Sequence, residues 1–190
     1  MTDRYRTIGA TLLSGALLTM PASARAQGAA ETINATATVK SAAGAAASAP
    51  ITITIDRKMS QTEADSAVAA FKTGGAAGLR KALAKGKPTG TVKIGAQKAT
   101  PTRFTIERVT SDGRLLTILT DKPLLFLGAS LPGAKAKAGY DFAVIDVQLD
   151  AKGGGTGTLA PAAKITLKDG AFVVEDYGVE GVQLTVNKAK

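Results

Sequence analysis

The chain is predicted to fold as an α+β domain, built mainly on an antiparallel sheet of eight or nine strands. Segments of alternating apolar and polar residues recur along the sequence, as expected of half-buried strands. They are short and separated by tight turns, which favours antiparallel pairing over crossover connections. One stretch after the second strand changes to helical spacing and predicts two short helices there. The sheet would stay open or curl into a partial barrel or a sandwich.

The first 26 residues have the organisation of a secretory signal peptide. Arg4 and Arg6 precede an apolar run over residues 8–20, which is followed by Pro21 and by small residues that end at Ala26. This is the order of n-region, h-region and cleavage site. The run is too short to cross a hydrocarbon core of about 30 Å as a helix. We expect cleavage after Ala26, with an uncut membrane anchor as the alternative.

Residues 27–190 are then expected to be a single exported domain, periplasmic or secreted. Cysteine is absent, which excludes disulfides, thiolate metal sites and the lipid attachment of bacterial lipoproteins. No later stretch is apolar enough to form a transmembrane segment. The formal charge is +9, aromatic residues make up only 4%, and Trp and His are absent. Aromatic-lined sugar or base-stacking clefts are therefore not expected, and neither is a nucleic-acid partner.

The first two predicted strands lie at residues 32–39 and 51–55, where apolar and polar residues alternate. Between them, the Ala/Gly-rich residues 41–49 are predicted to form a flexible connector. The two strands would then form a hairpin with that connector as its loop. Further strands are predicted at residues 89–94, 102–110, 114–120, 140–149, 162–168, 171–175 and 181–187, with a short buried run at 124–127 and a loop at 128–139.

The first helix is predicted to begin at Ser60, since Ser60 and Glu63 have the spacing of a capping box. It would end near Lys72, because glycines at positions 74 and 75 favour a helix stop. A second short helix is predicted over residues 76–85. Its apolar residues share one face and its lysines lie on the opposite one.

Six segments of residues 27–190 carry a resemblance to other proteins: 51–57 (ITITIDR), 71–75 (FKTGG), 120–123 (TDKP), 157–165 (GTLAPAAKI), 175–178 (EDYG) and 182–185 (VQLT). Together they resemble a family of uncharacterised exported bacterial proteins. The resemblance spans most of residues 27–190 but departs at Lys58, where members often carry Trp or Tyr. It implies export and a single compact domain, and it implies no activity.

No catalytic residue and no cofactor is predicted. Without His or Cys the commonest general base and the best nucleophile are missing, and no serine lies in a G-x-S-x-G or S-x-x-K motif. Asp146 and Asp150 share one face of a predicted strand and are weak candidates for binding a hard cation. A solvated outer face near the end of a strand is the simpler explanation. An enzyme of the hydrolase type would need such a carboxylate-based or metal-assisted site, and is the alternative hypothesis.

A basic segment runs from Lys72 to Arg103, with eight basic residues and no acidic one. Such a segment concentrates anions near its surface, although a solvated basic face that serves solubility would look the same. The leading hypothesis is thus a non-enzymatic envelope protein, a binding or structural module for anionic lipid or polysaccharide. An apolar ligand inside a curled sheet is a second binding route. The anion-binding candidates are Arg80, Lys81, Lys85, Lys87 and Lys93.

Overall fold

The computed structural model describes residues 6–7, 30–40, 46–124, 139–168, 171–176 and 181–187. Within them the chain forms ten strands and one helix. The elements are β1 (Arg6–Thr7), β2 (Glu31–Lys40), β3 (Ala46–Ile55), α1 (Gln61–Lys85), β4 (Gly90–Ile94), β5 (Thr100–Thr110), β6 (Gly113–Thr120), β7 (Phe142–Leu149), β8 (Gly155–Lys168), β9 (Ala171–Asp176) and β10 (Val182–Val186).

Eight of these strands close into an antiparallel barrel. Their order is β8-β10-β2-β3-β4-β5-β6-β7, and β7 pairs back on β8 to complete the circle. Strand β9 lies outside the circle and pairs with the far part of β8, while the two residues of β1 pair with β9. The predicted antiparallel sheet is therefore confirmed, and its curl is a complete barrel.

The barrel interior is filled by aliphatic side chains at alternate positions of the strands. On β7, for example, Ala143, Ile145 and Val147 are fully buried and face inward, while Phe142 and Val144 face the helix. Branched aliphatic residues suit these positions because they pack well on a pleated surface. The residues at most 1% exposed in this core are Ala35, Ala37, Ile51, Ile53, Val92, Leu116, Ile118, Ala143, Ile145, Val147, Leu159 and Leu184.

Strand β5 supplies threonines where its neighbours supply aliphatic residues. Thr102 and Thr105 are buried together with Thr89, and their hydroxyls form a short hydrogen-bonded chain. Thr105 donates to Thr89 at 2.8 Å, and the hydroxyls of Thr89 and Thr102 are 3.0 Å apart. Each buried hydroxyl thus has a partner, which avoids the free-energy cost of an unsatisfied polar group.

The helical stretch is one element with a kink, so the prediction of two short helices is not confirmed. Gly75 has φ 58° and ψ −152°, outside helical geometry, yet helix continues on both sides of it. Glycine adopts this backbone conformation at little cost, which explains why the chain bends here without a separate loop. The predicted capping box is present, with Ser60 accepting from the Glu63 backbone N–H.

Helix α1 covers one side of the barrel wall. Its buried residues include Phe71, Leu79 and Leu83, which join a second core cluster with residues of β5 to β8. Phe104 and Phe142 are the aromatic members of that cluster on the strands. The helix therefore lies on the outside of the barrel and leaves the interior to the strands.

Two strands begin five or more residues before their predicted starts, β3 and β8. β3 begins at Ala46, so residues 46–49 belong to the strand and not to the expected connector; residues 41–45 lie outside the described part. β8 runs from Gly155 to Lys168, seven residues before the predicted start at 162, and its pairing with β7 shifts register between Ala160 and Ala163. The short run at 125–127 and the loop at 128–138 also lie outside the described residues.

In the described part of the chain, none of the helical segments combines the length and the apolar character needed to cross a membrane.

Candidate functional site

The second half of α1 presents lysines on its outer side. Leu79 and Leu83 are buried against the barrel, whereas Lys81 and Lys85 are exposed. Residues four apart lie on the same helix face, so these two lysines are neighbours. The predicted amphipathic pattern of residues 76–85 is thus confirmed at the level of burial.

The basic character continues beyond the helix. Lys87 is exposed in the segment that leads from α1 into β4, and Lys93 is exposed on the outer side of β4. Strand β4 is paired with β5, one of the strands that α1 packs against. We use the name basic surface for the set of exposed lysines Lys81, Lys85, Lys87 and Lys93, of which Lys81 and Lys85 are neighbours on one helix face.

The arginines of the basic segment have defined partners. Arg80 pairs with Asp141 at 3.4 Å and stays about half exposed, so this ion pair is weakened by solvent. Arg103 pairs with Asp121 at 3.2 Å and also donates to the Gly86 carbonyl at 3.4 Å. Arg80 is therefore a less available anion ligand than the four lysines.

Arg57, which the sequence analysis did not single out, also contacts the segment that follows α1, as Arg103 does. Its guanidinium bonds Glu63 at 2.9 Å and the Lys87 carbonyl at 3.1 Å. Together with Arg103, which donates to the Gly86 carbonyl, it ties down the segment that directly follows α1. This fixes the position of the segment that carries Lys87.

The lysines of the basic surface have no carboxylate partner among the described residues. The cations of the ion pairs seen across the described residues are Arg57, Lys58, Arg80, Arg103, Arg114 and Lys164, and none of the four lysines is among them. An ammonium group that is solvated and not paired keeps its capacity to attract an anion.

The two weak cation candidates serve structural roles. Asp146 accepts a hydrogen bond from the Thr117 hydroxyl at 2.7 Å. Asp150 accepts from the backbone N–H groups of Lys152 and Gly154, at 2.7 and 3.0 Å, and so shapes the turn after β7. Over the described ranges, no group of three or more Asp, Glu, His or Cys side chains could hold a metal ion.

A network of charged side chains lies at one end of the barrel, formed by residues that sequence reasoning did not connect. Arg114 bonds Glu107 at 2.9 Å and also pairs with Glu31, while Lys58 bonds Glu107 at 2.5 Å. Partial burial acts to raise the pKa of Glu107, but hydrogen bonds from Lys58 and Arg114 outweigh it and lower that pKa. The same carboxylates raise the pKa of Arg114.

A shallow open cavity of about 330 Å³ adjoins this network. Glu107, Val109 and Arg114 line it, together with Asp150 in the turn after β7. Because the Arg114 guanidinium already faces two carboxylates, the cavity offers no unpaired cation to an anionic ligand. The basic surface is therefore the better candidate for a functional site.

Comparison with known proteins found no match: no family model, no curated protein and no solved structure is significantly similar to this chain.

Proposed function

We propose that this protein is a non-enzymatic module of the bacterial cell envelope that binds an anionic partner through the basic surface. The observation that carries the proposal is the set of exposed lysines without a described carboxylate partner. Its location, periplasmic or secreted after loss of residues 1–26, is part of the same proposal and is supported by the sequence pattern of the first 26 residues. That loss would remove the two-residue strand β1, which lies outside the barrel.

The anion that this arrangement suits best is a phosphate-bearing lipid headgroup. Lysine ammonium groups act as point charges, and each contributes about 1 kcal/mol near an anionic membrane surface. Two adjacent lysines on one helix face would thus favour an anionic surface by about 2 kcal/mol, a factor of roughly thirty in the binding constant. An acidic polysaccharide would engage the same charges and is distinguished by experiment.

The test is sedimentation of the purified protein with vesicles of phosphatidylcholine alone or mixed with phosphatidylglycerol. We expect binding only to the mixed vesicles. Binding should weaken as the salt concentration rises, because the Debye length falls to about 3 Å at 1 M salt. Replacing Lys81 and Lys85 with Gln should reduce binding about tenfold or more.

The matched control replaces Lys122 and Lys152 with Gln. Both are exposed and lie outside the basic surface, so the net charge changes by the same amount. If both double variants lose binding equally, net charge and not the basic surface is responsible. If the protein ignores the vesicles yet binds an acidic polysaccharide, the lipid assignment is wrong.

A further inference from the structure

Strand β9 has an outer edge that accepts a further strand. On its inner side all six residues of β9 pair with β8, without a shift in register. On its outer side, Val173 and Val174 are the only residues with a strand partner in the described part of the chain. Those partners are Thr7 and Arg6 of β1, which runs antiparallel to β9.

Removal of residues 1–26 would uncover this edge. Strand β1 lies within the removed segment, whereas the eight strands that close the barrel lie within residues 31–186. The barrel therefore keeps every pairing that closes it, and β9 keeps its pairing with β8. The shortened chain then has a sheet edge at β9 with no strand beside it among the described residues.

Side chains of β9 hold the strand firmly against the rest of the molecule. Val173 is 4% exposed, and Val174 packs against the core cluster that includes residues of α1. Glu175 accepts a hydrogen bond from the Tyr140 hydroxyl and pairs with Lys164 at 3.8 Å. An edge fixed in this way loses little conformational freedom when another strand pairs with it.

The sequence of β9 lacks the features that keep sheet edges apart. Natural edge strands are protected by lysine, by proline or by bulges. β9 reads AFVVED, with neither lysine nor proline, and its register with β8 is regular. Its apolar first part contains phenylalanine and two valines, which favour extended structure. Once uncovered, an edge of this kind is expected to pair with another strand.

We propose, resting on the removal of residues 1–26 in the proposed function, that the β9 edges of two shortened chains pair with each other in a two-fold dimer. An antiparallel edge is self-complementary, because a two-fold axis brings the same strand in from the opposite direction. The second copy takes the place of β1, so that its Val173 and Val174 lie where Arg6 and Thr7 lie in the full chain.

This register places no like charges opposite each other. Val173 of one copy lies opposite Val174 of the second copy. Two residues further out on each side, Glu175 lies opposite Phe172 of the second copy. The acidic end of β9 thus meets the apolar beginning of the other strand, and the repulsion that destabilises like-charged cross-strand pairs is avoided.

The dimer should be weak and reversible. One six-residue strand from each copy is a small interface compared with the about 1,200–2,000 Å² that stable complexes bury. The hydrogen bonds of strand addition join backbone groups, so a rising salt concentration should not weaken the dimer. Binding through the basic surface does weaken with salt, which separates the two interactions.

The test is analytical ultracentrifugation of residues 27–190 over a series of protein concentrations, with no lipid present. We expect the mass to rise from one chain to two and no further, because pairing occupies the β9 edge of both copies. Hydrogen exchange followed by mass spectrometry locates the contact. The β9 amides should exchange more slowly at high protein concentration, whereas those of β4, which is paired on both sides, should not change.

Two substitutions at one position test the register. Phe172→Glu places a carboxylate opposite Glu175 of the second copy, at two symmetric sites. Phe172→Lys is the matched control, since it removes the same phenylalanine but places an ammonium group opposite that carboxylate. The dissociation constant of the dimer should be about tenfold higher for the first variant than for the second. If either variant loses its cooperative melting transition, the exchange of β9 in the unchanged chain decides.

Each of the following results would overturn the proposal. The mass stays at one chain at every concentration, or it grows beyond two chains. A dimer forms but β9 exchange does not depend on concentration, which puts the interface elsewhere. The two Phe172 variants fold and dimerise equally. Slow β9 exchange in a protein that remains a single chain would assign the edge to another segment of that chain. Because no vesicle is present, failure here concerns the β9 edge alone, whereas the Lys81/Lys85 variant tests the basic surface alone.

Discussion

Single glycines decide how closely the strands of this barrel approach. A Cβ at Gly157 would lie 2.3 Å from the Asp146 carbonyl oxygen, and one at Gly155 would lie 2.0 Å from that of Gln148. Both oxygens belong to β7, so the contact falls on the pairing that closes the circle. Because these contacts involve backbone atoms, no side-chain rotation could relieve them. Gly155 and Gly157 are thus required for the close approach of β8 to β7.

We therefore expect Gly157→Ala to destabilise the protein by about 1–3 kcal/mol, the range found for overpacked sites. Chemical denaturation followed by circular dichroism measures this. Gly74→Ala is the matched control, since a Cβ there has open space and alanine favours helix. It should leave stability unchanged or raise it by about 0.5–1 kcal/mol. Equal losses in the two variants would contradict the close approach of β7 and β8.

At the scale of the element, the start of α1 was predictable and its kink only in part. The capping box depends on two residues three positions apart, so the sequence displays it directly. A pair of glycines at 74 and 75 indicated a break, but it could not show that helix resumes at once. The helix resumes because Leu79 and Leu83 pack into the same core cluster as Phe71.

The cap at Ser60 should contribute measurably to stability. Ser60→Ala removes the side-chain acceptor of the Glu63 N–H and should reduce the free energy of unfolding by about 1 kcal/mol. For a domain of this size the melting temperature should fall by about 2–4 °C.

Ser66→Ala provides the comparison within the same helix. The Ser66 hydroxyl donates to the Thr62 carbonyl at 2.8 Å. That carbonyl lies inside the helix and belongs to its backbone hydrogen-bond pattern, so it does not depend on the hydroxyl. Alanine has the higher helix propensity, so stability should stay equal or rise slightly. If the Ser60→Ala and Ser66→Ala variants had the same melting temperature, the capping box would contribute nothing to stability.

For the whole molecule, strand positions followed from alternation, whereas the closure of the barrel did not. Alternation is a local property, and it located residues 32–39 and 181–187 well, but only the second half of β3. The pairing of β10 with both β2 and β8 joins distant parts of the chain, and no local pattern encodes it. The lysines of the basic surface were found by composition, but the partners of Arg80 and Arg103 were not.

The charged network belongs to the same scale, because its members come from the start of β2, the approach to α1, and strands β5 and β6. No spacing in the sequence connects Glu31, Lys58, Glu107 and Arg114. Only the fold brings them together. The contribution of the charged network to stability should therefore depend on the whole barrel being formed.

That contribution should depend on pH. Since the pKa of Glu107 is lowered below its ordinary value of 4.5 in the folded protein, its ionised form stabilises the fold above that value. The stabilisation is lost as pH falls through the folded-state pKa. Glu107→Gln should cost about 1 kcal/mol at neutral pH, and the difference from the unchanged protein should shrink as the solution is acidified below pH 4.5.

Denaturation at a series of pH values measures this difference. Asp65→Asn is the control, because Asp65 is exposed on α1 and its hydrogen bond from Gln61 survives the change. Glu63, whose pKa is lowered chiefly by the Ser60 backbone N–H, is present in both variants and cancels in the comparison. A Glu107→Gln effect that does not change between neutral and acidic pH would argue against the network.

The position of β10 has a consequence for the growing chain. This last strand fills the gap between β2, the first strand of the barrel, and β8. Until its residues are available, β2 and β8 both present open edges, and the circle cannot close. The nascent polypeptide therefore stays short of its native state until β10 has been synthesised, however early β2 and β8 become available. The order of the strands thus delays the completion of folding until β10 is available.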